Sequence, residues 1–135
     1  MSVFSFSSSD SETDVKAKLS STSALTLQLI KCELYSDGTE EQSSIILEAI
    51  ANMKCTTDKL DIYLKQQSDV AKWKDQIITM LQSGKVNKAL TIYGDVNSPV
   101  GYFNDKQVEE TKKSRAEIEN LANEKEVKVV FKIKT

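Results

Sequence analysis

Histidine is absent from the 135 residues, and that absence removes the commonest general base, the Ser-His-Asp and Cys-His nucleophile systems, and zinc sites built from cysteine and histidine. Glycine and proline are scarce, with four of one and one of the other, and neither occurs between Gly38 and Gly84. The two cysteines, Cys32 and Cys55, are too few for a disulfide scaffold and form no CxxC pair. They read as reduced thiols, with a single mutual bridge as the alternative. No run approaches the roughly 20 apolar residues that cross a bilayer, and the N-terminus lacks a basic start followed by an apolar stretch. The expectation is a protein without stable membrane insertion, cytoplasmic or exported without a cleaved signal peptide. A net charge of −2 and a pI near 5.3 leave no overall positive field to draw in nucleic acid.

What is present fits one folded unit. Hydrophobic residues at 39% and charged residues at 28% can build a core, and the length is near that of a common single domain. Residues 1–13 form a Ser-rich arm, flexible or else a short strand docking through Phe4 and Phe6 at period two, and 14–135 form a single helix-rich domain. No internal repeat at solenoid or propeller periods is apparent in the sequence.

The longest signal is the Gly/Pro-free run Thr39–Ser83. Ile46, Ile50, Met53, Leu60 and Leu64 follow three- and four-residue spacing with Thr57 filling a step, and Val70, Trp73, Ile77 and Met80 continue it. The stripe changes phase around Gln66–Asp69, so the spacing predicts two helices meeting there, the second capped by Ser68 or Asp69. Leu19–Leu34 is ambiguous: Leu25, Leu27 and Leu29 alternate as in a strand, while Leu27, Ile30 and Leu34 fit a helix. Asn104 or Asp105 begins a further helix to about Asn123. Val127, Val129, Phe131 and Ile133 alternate with Lys128, Lys132 and Lys134 as a C-terminal strand, for which Ala89–Tyr93, Leu25–Leu29 and the Val3–Phe6 arm are the candidate partners. The fold expected is α+β and predominantly helical: a helical hairpin or small bundle with a short β element that includes the C-terminal strand.

Motifs that carry chemistry fail on inspection. Gly84-Lys85 lacks the phosphate-loop pattern, with Thr79 and Val86 at the required places. Asp95 and Asn97 begin like a calcium loop, but Pro99, Val100 and Lys106 occupy the later ligand and glycine positions. Asp58 and Asp61 sit among lysines as on a solvated face, and Cys55 reads as a packed thiol. The sequence therefore predicts no catalytic, cofactor-binding or metal site. It points instead to a non-enzymatic protein–protein interaction module, an assembly component, adaptor or inhibitor/immunity-type partner. The module would bind another protein, or a second copy of itself, through a helical apolar stripe or a strand edge. The candidate contacts are Val70, Trp73, Ile77, Met80, Phe4, Phe6 and Phe131. Two other readings stay open. One is a histidine-free enzyme using carboxylate, Tyr93, Tyr102 or lysine near the Gly94–Gly101 loop. The other is a nucleic-acid binder through the C-terminal lysines with Phe131 and Tyr102 as stacking partners, against which stands the ordinary use of lysines to protect an edge strand.

Overall fold

The computed structural model describes residues 3–6, 11–21, 26–34, 40–64, 70–94 and 105–132. Strand and helix alternate along them: β1 (Val3–Phe6), α1 (Glu12–Ser21), β2 (Thr26–Leu34), α2 (Glu40–Asn52), β3 (Thr56–Leu64), α3 (Val70–Gln82), β4 (Val86–Tyr93), α4 (Asp105–Glu124) and β5 (Lys128–Lys132). The strands form one five-stranded sheet, all parallel, in the order β1-β2-β3-β4-β5. This is an α/β fold. It replaces the expected helix-rich α+β hairpin or bundle, because parallel neighbours need a crossover and each crossover here is one helix.

The largest correction lies inside Thr39–Ser83. It holds α2 and α3 with β3 between them, and no glycine or proline marks the exit from α2, which ends at Asn52, where Asn52 Nδ2 donates to Glu48 O at 2.8 Å. Thr57, Leu60 and Leu64 resemble a helical stripe only if Ile62 is ignored. With it, the fully buried set Leu60, Ile62 and Leu64 alternates at the strand period. The junction expected at Gln66–Asp69, with its cap at Ser68 or Asp69, lies outside the described residues. The ambiguity of 27–34 also has a cause: Leu27 and Ile30, three apart, are both fully buried, and Cys32 and Leu34 then follow at period two. Thr57 and Leu60 repeat that change of step. Leu25 lies outside the described residues. α4 and β5 fall close to the elements read from sequence, Val3–Phe6 is a strand where a flexible arm or a short strand was expected, and of the three candidate partners β4 is the neighbour of β5.

A repeat of thirty residues, where no internal repeat was expected, organises the centre. Ile30 pairs with Leu60 and Leu60 with Leu90; Cys32 pairs with Ile62 and Ile62 with Ile92. The helices α2 and α3 are offset by the same interval. Each unit is a strand and a helix that cannot bury their apolar sides alone, so stacking creates one continuous core. Two helices end alike. Gly84, at φ 69°, follows α3 with Gly84 N donating to Leu81 O and Lys85 N to Met80 O. Glu126, at φ 59°, follows α4 with Glu126 N donating to Asn123 O and Val127 N to Ala122 O. Both are Schellman ends, one with glycine at the left-handed position and one without.

Because the strand order follows the chain order and β-α-β crossovers are right-handed, the helices lie on one side of the sheet. Consecutive helices pack on one another, α1 on α2, α2 on α3 and α3 on α4. Between α2 and α3, Gln76 Nε2 donates to Ser44 Oγ. The core sits between this helix layer and the sheet, from Phe6 and Val15 through Leu60, Ile62 and Ile77 to Ile118 and Val127. Among the described residues no helix is long and apolar enough to cross a membrane.

Candidate functional site

The strand pleat sends alternate side chains away from the helices, and no described element packs on that side. On β3 the inward residues Leu60, Ile62 and Leu64 are buried, while Lys59 is exposed and Asp61 and Tyr63 are half-buried. Such a face is unusual for a parallel sheet, whose two faces are ordinarily both covered.

In-register pairing arranges the bare side in rows across the strands. At the carboxyl ends the row is Glu33, Tyr63, Tyr93 and Lys132. Tyr63 and Tyr93 stack with ring centroids 4.5 Å apart and planes 4° from parallel, as equivalent side chains on strands about 4.8 Å apart must. Lys132 Nζ lies 5.4 Å from the centroid of Tyr93. Tyr93 thus has a tyrosine on its β3 side and an ammonium on its β5 side. Partial burial, then the nearby Asp61 carboxylate, then Tyr93 and Glu33 push the Tyr63 phenol above its ordinary value, so it stays a neutral hydrogen-bonding group through the physiological range. The next row is Lys31, Asp61, Thr91 and Val130, and the one after it Leu29, Lys59, Ala89 and Lys128.

The amino ends of the strands differ. There the polar groups are tied to each other: Asn87 Nδ2 donates to Thr56 Oγ1 at 2.9 Å and Asp58 Oδ1 at 3.3 Å, Lys88 Nζ sits 3.4 Å from Asp58 Oδ2, and the Thr26 and Thr56 hydroxyls are 3.3 Å apart. Lys59 and Lys128, in contrast, have no carboxylate within 4.0 Å among the described residues.

The residues expected to make contact from the helical stripe are inside. Val70, Trp73, Ile77 and Met80 are 1%, 3%, 0% and 1% exposed, facing the sheet and neighbouring helices. Phe6 is buried; Phe4, its ring centroid 6.2 Å away, is half-buried against the same core. Phe131 pairs in register with Ile92 on the helix-covered side, with the Arg115 guanidinium 4.7 Å from its ring centroid. None of the seven faces the bare side, which parts Phe131 from Lys128 and Lys132. Trp73 Nε1 has no hydrogen-bond partner among the described residues. Cys32 and Cys55 are free and buried; burial, Asp61 and Glu33 push the Cys32 thiol up to about 12, so it is unreactive.

Residues 95–101 of the Gly94–Gly101 loop, and Tyr102, lie outside the described residues. A shallow hollow of about 230 Å³ between α3 and α4 is lined by Lys74, Glu110, Lys113, Ser114 and Glu117, and is crossed by the Lys74–Glu117 ion pair at 2.9 Å. Its charges largely offset one another. Among the described residues no group of three or more His, Cys, Asp or Glu side chains is placed to hold a metal ion.

A sequence signal for the tyrosine row existed. Leu60-Asp-Ile-Tyr63 and Leu90-Thr-Ile-Tyr93 share three of their four residues at an interval of thirty. Comparison with family models, with curated proteins and with solved structures finds no match to this chain.

Proposed function

We propose that this chain is a protein–protein interaction module whose contact surface is the side of the sheet away from the helices. The observation that carries the reading is a parallel-sheet face that no described element covers, bearing the Tyr63–Tyr93 stack. Tyrosine gives large contact area with few rotatable bonds and a hydroxyl for hydrogen bonding, which suits a partner's peptide groups. A solenoid-like stack presents such residues on rigid strands, so little ordering remains to be done on binding. Nucleic acid is the weaker reading. Bases stack on free ring faces, and Tyr93 is flanked on both sides by Tyr63 and Lys132. Two free cysteines accord with a reducing compartment such as the cytoplasm.

The test is site-specific photo-cross-linking in an extract of the native source. A photoreactive residue at Thr91, on the bare side, should form a discrete protein adduct that the same residue at Glu119, on exposed α4, does not form. Tyr63→Ala with Tyr93→Ala should abolish the adduct. An adduct that appears only from Glu119, or that survives the double substitution unchanged, would overturn the reading.

A further inference from the structure

We infer that the β4–β5 half of the bare face receives an extended, acidic segment of a partner protein. The inference rests on the interaction reading above and names the chemistry of its ligand. The chain as a whole is acidic, with a net charge of −2. The bare rows reverse that sign: Lys31, Lys59, Lys128 and Lys132 stand against Glu33 and Asp61. The two carboxylates lie on β2 and β3, and the rows of β4 and β5 contain none. Asp61 is the register neighbour of Lys31, which leaves the excess positive charge at Lys59, Lys128 and Lys132.

Spacing selects the form of the ligand. Lys128 and Lys132 are four residues apart on one strand, about 13 Å at the usual rise of a strand, with Val130 between them on the same side. An extended peptide lying along β5 repeats its side chains at the same rise. Carboxylates at positions i and i+4 then meet the two lysines while an aliphatic side chain at i+2 rests on Val130. A helix places i and i+4 only about 6 Å apart and cannot match both lysines with that pattern. Ala89 and Thr91 are small, so beside β5 the face is low between Lys59 and Lys128. The stacked Tyr63 and Tyr93 close the carboxyl end.

Fluorescence anisotropy with labelled nine-residue peptides tests this. The probe carries Glu at i and i+4 with Val at i+2; the controls replace both Glu by Gln, or are a dT9 or U9 oligonucleotide. The Glu peptide should bind, weaken steeply as salt rises, and lose affinity by about tenfold in Lys128→Gln with Lys132→Gln. Lys112→Gln with Lys125→Gln, exposed on and just after α4 and equal in charge, should change it less than about twofold. The inference is overturned if the Glu peptide does not bind, if the Gln peptide binds equally, if both double variants lose the same affinity, or if only the oligonucleotides bind. A Thr91 adduct combined with any of those results removes the acidic ligand and leaves the interaction reading standing. Absence of the adduct removes the interaction reading itself.

Discussion

The two sides of one sheet obey different rules. On β3, Leu60, Ile62 and Leu64 face the helices and are buried, while Lys59, Asp61 and Tyr63, interleaved with them along the same strand, face outward. The covered side needs only apolar residues of suitable volume, and the equivalents at Ile30, Leu60 and Leu90 satisfy it with different side chains. The bare side carries a stacked aromatic pair and sorted charges that burial does not require. The contrast locates the packed core on one side and, on the reading we propose, recognition on the other.

The strongest way to break that contrast is to truncate one residue on each side of β3. Ile62→Ala should cost about 2–5 kcal/mol, since it removes buried methyl groups and leaves a cavity, whereas Asp61→Ala should stay within about 0.5 kcal/mol. Urea denaturation of both variants measures this, and equal losses would end the distinction. Next in size is an alkaline effect on the covered side. The folded Cys32 thiol titrates at about 12 against an ordinary value of 9.0, so above pH 9 the unfolded chain releases a proton that the folded one keeps. Stability is unaffected by this thiol below pH 9 and falls between about 9 and 12, by up to about 1.4 kcal/mol per pH unit. Denaturation of the parent and of Cys32→Val at pH 8 and 11 should show the loss in the parent alone after the shared background is subtracted.

Smaller effects sharpen the bare side. A double-mutant cycle on Tyr63→Ala and Tyr93→Ala should give a coupling of about 0.5–1.5 kcal/mol, the worth of an aromatic pair. A coupling near zero would mean the rings do not stack in solution. At the end of α4, Glu126 occupies the left-handed position that Gly84 occupies after α3. Glu126→Gly should therefore raise stability by about 0.5–1 kcal/mol, the relief of a side-chain clash less the extra chain entropy of glycine. Thermal denaturation reads that change, and a loss of stability instead would show that the Glu126 side chain makes a contact of greater worth.

Some of this was legible before folding. β5 declares itself by alternation, α4 by the oppositely charged pairs Glu109/Lys113 and Arg115/Glu119 four residues apart, and α3 by Val70, Trp73, Ile77 and Met80, which lie on one helical face. β3 did not, because Thr57, Leu60 and Leu64 fall at helical intervals and α2 hands over to it through Met53-Lys54-Cys55 without a glycine or proline. The repeat was hidden by substitution on β2, where Ile30-Lys-Cys-Glu33 stands in register with Leu60-Asp-Ile-Tyr63 and shares none of its residues. The tyrosine row was visible only as two tetrapeptides, since nothing local says that residues thirty apart will be neighbours.

The sequence by itself determined that the chain has a core, that histidine chemistry is excluded, and where its most regular helix and strand lie, because composition and short periodicities are local properties. Tertiary structure decided which apolar stripe is inside. Helices on one side of a parallel sheet bury Trp73 and Ile77 and free the opposite side. Only the register of the strands brings Glu33, Tyr63, Tyr93 and Lys132 into one row, and register is a relation between distant segments that no single stretch of sequence contains.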